Sequence, residues 1–171
     1  MALFLRKLLR IGELPDALRA EAETEGVLFL AEYVPVTRRF SGAIPGKRAA
    51  GSVSSYAGAV VLTEQRALAT LATLPKLAGR TVDQPWSAPQ QGAVAARIAA
   101  DGLTIEADLA EVGRRCSRSE SSFHNHFEGH LSLHYKVEIP EDVLSRLPLR
   151  SLAFDVGPEY VFRAVGVQYH P

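Results

Sequence analysis

Polar and apolar residues alternate most cleanly near the C-terminal third of the chain, where Leu131, Leu133, Tyr135, Val137 and Ile139 interleave with Ser132, His134, Lys136 and Glu138. A period of two places one set on each face of an extended segment, so this stretch predicts a half-buried β-strand. Val27 to Val34, continuing through Val36 and Thr37, has the apolar, aromatic and β-branched content of another strand. Its unbroken apolarity implies contact on both faces, with the sheet core on one and N-terminal helices on the other. Further strands are expected at Ser52 to Val61, Ala67 to Leu74 and Thr81 to Trp86. The second of these also fits a leucine-lined helix. Ala95 to Ala99 and Leu103 to Ala107 flank Asp101-Gly102, the strongest hairpin cue in the chain.

The period changes elsewhere. Pro15 to Glu23, ended by Gly26, and Pro140 to Leu147, stopped by Pro148, read as short helices with proline in the first turn. Met1 to Ile11 is an amphipathic helix in which leucines and Phe4 alternate with Arg6, Lys7 and Arg10. Phe40 to Arg48 carries two glycines and a proline and reads as a long loop, as does the serine-rich stretch Gly113 to Ser122. Past the last helix, Ser151 to Val156 and Tyr160 to Tyr169 read as two extended pieces split by Gly157-Pro158. A tail this apolar packs on its own domain or on a partner, and residues 151–169 are the expected contact of a homodimer.

Composition narrows the function classes. The 171 residues suit one domain with terminal additions, and 19 basic residues balance 19 acidic ones, which removes any general attraction to nucleic acid. Cys116 stands alone, so neither a disulfide nor a paired-thiol motif is available within the chain, and a reducing, cytoplasmic setting is expected. No apolar run approaches the roughly 20 residues of a bilayer span. Residues 1–11 also lack the pattern of a secretory signal, although as a basic amphipathic helix they could touch a membrane surface weakly and peripherally. A nucleophilic-serine elbow and the glycine patterns of nucleotide loops are absent. Arg114, Arg115 and Arg118 would favour a Cys116 thiolate if they converged, but no base is positioned by the sequence.

The densest chemistry lies at residues 122–134, where four of the five histidines fall within eleven residues. His124, His126 and His130 with Glu128 could assemble a zinc site, possible for two or three imidazoles and a carboxylate. That metal-binding, conceivably hydrolytic, reading is the alternative to one in which the imidazoles line a loop and a solvent face while Phe123 and Phe127 pin the loop to the core.

Glu25 to Glu32, Val36 to Phe40, Tyr56 to Arg66 and Ser122 to Tyr135, in that order, carry a resemblance to bacterial pleckstrin-homology-like and GRAM-like domains of actinobacterial type. The resemblance covers about residues 25–148, leaving an N-terminal helical extension (1–24) and an extended tail (149–171). It implies a mainly β fold with short flanking helices: a split, strongly bent antiparallel barrel capped by a C-terminal helix. It also implies a non-enzymatic binding or scaffold module. Members that bind phosphorylated headgroups place basic side chains between the first two strands, which here points to Arg38, Arg39, Lys47 and Arg48. No cofactor is implied. The helix at Glu141 to Leu147 is shorter than that pattern expects.

Overall fold

The computed structural model describes residues 2–74, 77–116 and 126–167. Along them run α1 (Ala2–Leu8), α2 (Asp16–Glu25), β1 (Val27–Ile44), β2 (Lys47–Thr63), β3 (Arg66–Leu74), β4 (Leu77–Pro85), β5 (Val94–Ala99) and β6 (Gly102–Asp108). Then follow α3 (Leu109–Cys116), β7 (Glu128–Lys136), α4 (Glu141–Arg146), β8 (Ser151–Phe154) and α5 (Pro158–Val165). The strands make one sheet in the order β4-β3-β2-β1-β7-β6-β5-β8, antiparallel throughout and curled into a nearly closed barrel flanked by short helices.

Register explains the interior. On β7 the alternating Leu131, Leu133 and Tyr135 are buried; they lie opposite Phe40, Arg38 and Val36 on β1 and Ala107, Ile105 and Leu103 on β6. Directly opposed residues share a face, so these nine positions form one inward layer. Eight of them are apolar or aromatic. The exception is Arg38, which is 3% exposed. A charge at an inward position needs a partner inside the barrel, and α5 supplies it.

The order of strands leaves β4 and β8 as edges. α5 follows β8 after a three-residue link and spans this gap: Tyr160 Oη donates to the Thr81 carbonyl and Arg163 Nη2 to the Arg80 carbonyl, both at 2.8 Å on β4. Covering an edge in this way prevents it from pairing with another chain. Tyr160, Val161, Phe162, Ala164 and Val165 are all buried while Glu159 and Arg163, about one turn apart, stay exposed, so the helix closes the barrel with its apolar face inward. Deeper in, Thr81 Oγ1 donates to the Ala69 carbonyl at 3.3 Å and accepts from Tyr135 Oη at 2.6 Å. Burial pushes the Tyr135 and Tyr160 phenols up, which keeps both as neutral donors.

A smaller core lies outside the barrel. Leu14, with Leu18 and Ala22 of α2 spaced one turn apart, packs on Ala59, Val61 and Leu68 of β2 and β3. The strand covered on both faces is therefore β2, whose residues 57–63 are all buried, rather than β1 as its apolarity implied. The N-terminal arm is instead clamped at a bulge in β1 between Ala31 and Val34. There Tyr33, at φ +56°, donates its main-chain N–H to Gly12 O at 2.8 Å and its hydroxyl to Glu13 at 3.0 Å. Glu32 accepts from Leu14 N at 2.9 Å and from the Arg19 guanidinium.

Three further sequence expectations are corrected. Residues 40–48 are not a long loop: β1 and β2 continue to Ile44 and Lys47. Pro45 and Gly46, the latter at φ +85°, occupy the turn in the arrangement a type II turn prefers. Of the loop expected at Gly113 to Ser122, Gly113 to Cys116 belong to α3, where Leu109, Val112 and Gly113 are buried at helical spacing and Asp108 Oδ1 accepts from Glu111 N at 3.1 Å as an N-cap, and residues 117–122 lie outside the described residues. The expected strand at Tyr160 to Tyr169 is the helix α5 through Val165, and residues 168 and 169 lie outside the described residues. Strands at 67–74 and 151–154 and the Asp101-Gly102 hairpin are present.

Candidate functional site

The four cations expected to cradle an anion are divided by strand alternation. Arg38 and Arg39 are adjacent on β1 and point to opposite faces, Arg38 inward and Arg39 to solvent. Arg38 Nη1 donates to the Ala164 carbonyl at 3.0 Å and Nη2 to Ser54 Oγ at 3.1 Å, and the guanidinium lies 5.0 Å from the centre of the Tyr56 ring. Lys47 Nζ donates to the Val165 carbonyl at 2.8 Å.

These two contacts complete the C-terminus of α5. Gly166 adopts the left-handed conformation at φ +76°, so its N–H reaches Arg163 O at 3.2 Å while Val167 N reaches Phe162 O at 2.9 Å. That is a Schellman motif, which satisfies two of the four terminal carbonyls. Arg38 and Lys47 satisfy the other two, and both cations sit where the helix dipole is negative. Burial, with help from the neighbouring Arg38 charge, pushes the Lys47 ammonium down.

Lys47 also lines a groove at the β1–β2 turn. With Arg48, His126 and Glu128 it surrounds a cavity of about 330 Å³ whose floor is Ala43, Ile44, Pro45 and Phe127. Phe127 is fixed by an edge-on contact with Phe162 of α5, ring centres 5.7 Å apart, as its expected pinning role requires. Phe123 lies outside the described residues. Arg48 is exposed and 3.8 Å from Glu128, a pairing loose enough to yield to a ligand. The groove thus joins two sets that the sequence kept separate: half of the basic quartet and half of the histidine–carboxylate group.

The remaining histidines diverge. His130 is on the outer face of β7, and His134, two positions further on that face, meets Thr104 Oγ1 through Nδ1 at 3.0 Å. Four residues along a strand separate them by about 13 Å, too far to share one ion. Among the described residues no three His, Cys, Asp or Glu side chains converge to hold a metal, and His124 lies outside them. Cys116 is packed between α3 and the segment before α5, donating to Val156 O at 3.4 Å; burial first, then Glu159 and Asp155, raises its thiol. That is opposite to the activation its arginine neighbours suggested, because Arg114 and Arg115 turn to Glu111.

One polar cluster was not foreseen from sequence. Arg66 binds Glu21 and Glu25 of α2 and Asp83 of β4 at 2.7–3.0 Å, tying the outer helix to the sheet. Its partners are up to 45 residues away, so no local motif announces it. Compared with protein-family models, curated proteins and solved structures, the chain gives no match. No helix among the described residues is long and apolar enough to cross a membrane.

Proposed function

We propose that this chain is a non-enzymatic binding module of the pleckstrin-homology-like type that receives an anionic group in the groove at the β1–β2 turn. One observation carries the reading. Among the described residues the barrel interior is filled by its own apolar side chains with α5 closing it, and at the rim the β1–β2 turn gathers Lys47, Arg48 and His126 over an apolar floor. Arg48 and His126 are exposed donors suited to phosphate or carboxylate oxygens, while Lys47 adds charge from a position fixed by α5. The antiparallel barrel and the place of the groove between the first two strands support the pleckstrin-like assignment. Arg39 faces away and takes no part.

The test is an amide NMR titration of the full chain with inorganic phosphate and, separately, with glycerol phosphate. Shifts concentrated at Gly46 to Arg48 and His126 to Glu128, weakened about fivefold or more by Arg48→Ala, are expected. Shifts spread over the surface, or unchanged in Arg48→Ala, would exclude the groove.

A further inference from the structure

Among the described residues, four of the seven large apolar side chains left exposed belong to the first helix and the turn that extends it: Phe4, Leu5, Leu8 and Leu9, at 70%, 50%, 69% and 47%. At 3.6 residues per turn these positions fall within an arc of about 140°. Arg6 and Lys7 lie just beyond its two borders, one on each side. Leu9 N bonds to Leu5 O at 3.0 Å, so the helical arrangement holds through all six residues.

This face is not a core waiting to close. Its base is anchored: Ile11 N bonds to Arg6 O at 2.9 Å, Gly12 O accepts from Tyr33 N, and the Lys7 ammonium stands 5.8 Å from the centre of the Tyr33 ring. The helix is therefore seated by its polar side with the apolar side to solvent. Its charge is one-signed as well. α1 contains no acid, and Arg10 is engaged by Glu13 at 2.8 Å and by Asp16 at 3.6 Å, which leaves Arg6 and Lys7 as the cations without a described acidic partner.

We propose that α1 docks on an anionic bilayer surface, with Phe4, Leu5, Leu8 and Leu9 entering the headgroup–acyl boundary and Arg6 and Lys7 meeting anionic headgroups. An apolar arc bordered by cations and free of acids complements such a surface in both hydrophobicity and charge. The protein partner that would match it equally well needs an apolar groove with an acidic rim. On this chain such acids gather beside apolar residues where Glu21, Glu25, Glu64 and Asp83 surround Trp86 and Pro148, but Arg66 already binds Glu21, Glu25 and Asp83, so the bilayer surface is the better match.

The experiment is co-sedimentation of the full chain with phosphatidylcholine vesicles, with and without phosphatidylglycerol, at low and high salt. The chain is expected to partition onto the anionic vesicles and to leave them at high salt. F4S/L8S lowers partition about tenfold or more, and Arg6→Gln or Lys7→Gln lowers it about fivefold each. Circular dichroism melting confirms that these exposed substitutions leave the barrel intact. Three results would overturn the proposal: no partition onto anionic vesicles, undiminished partition of F4S/L8S, or partition lost only in Arg48→Ala, which would put the contact at the groove. Self-association that F4S/L8S abolishes, without vesicle binding, would also overturn it in favour of a second copy of the chain.

Discussion

The guanidinium of Arg38 donates to the main-chain carbonyl of Ala164, 126 residues further along the chain, at 3.0 Å inside the barrel. The contact joins the first strand to the last helix, and a residue whose type suggests ligand binding is here part of the framework. Removing it leaves a buried carbonyl without a donor and a gap beside Tyr56. Arg38→Ala is accordingly expected to destabilise the fold by about 2–3 kcal/mol in urea unfolding. Arg48→Ala, at an exposed position, stays within about 0.5 kcal/mol of the parent. Equal effects from the two substitutions would contradict the capping role.

Gly166 tests the same helix end from the backbone side. A Cβ there would meet only Arg38 Nη1 at 3.6 Å, an ordinary contact, so space is not the obstacle. The left-handed conformation is. Gly166→Ala is expected to cost about 1 kcal/mol, and Gly166→Asn less, because asparagine tolerates that region better.

The clamp at the N-terminal arm carries a pH dependence. The hydrogen bond from Arg10 holds the Glu13 carboxyl down to about 2 from an ordinary value of 4.5, against the opposing effect of burial. A carboxylate depressed in the folded state stabilises the clamp fully above its unfolded value, and that contribution fades as pH falls from 4.5 through 2. The Tyr33 amide, which donates to Gly12, is the local reporter. Its NMR shift should titrate in this range in the parent and stay flat in Glu13→Gln.

Zinc separates the binding-module reading from its alternative. With His130 and His134 spread along β7, untagged protein dialysed against zinc should retain well under one equivalent after chelation. One retained equivalent, lost in His126→Ala, would place a metal centre at the groove instead.

The barrel was legible where its strands face two environments. Leu131 to Tyr135 and the Asp101-Gly102 hairpin declared themselves because alternation and turn chemistry are local. α5 hides its period because it is short and its polar face shows only at Glu159 and Arg163, about one turn apart, so Tyr160 to Val165 reads as an apolar run broken once. Its punctuation was visible nonetheless: Pro158 opens the helix and Gly166 closes it. The β1–β2 hairpin reads as a loop from sequence because its two glycines and a proline fall within nine residues. Gly46 makes the turn, whereas Gly42 lies within β1 opposite Gly129 of β7, where a Cβ would strike main chain at 2.1 Å. Of the candidate site, the residue types were apparent but their grouping was not. Which of Arg38, Arg39, Lys47 and Arg48 face the same way depends on strand parity and on a helix more than a hundred residues downstream.

That dependence sets the order in which the molecule can mature. The helix that completes the interior leaves the ribosome more than a hundred residues after the first hairpin, and the donors waiting for it sit on that hairpin. The earliest strands must therefore remain as an unfinished cup, with Arg38 and Lys47 still hydrated, until residues 158–165 arrive. Such long-range closure makes for slow, all-at-once folding, and it leaves the nascent cup as the stage most exposed to capture by chaperones or by other unfinished chains.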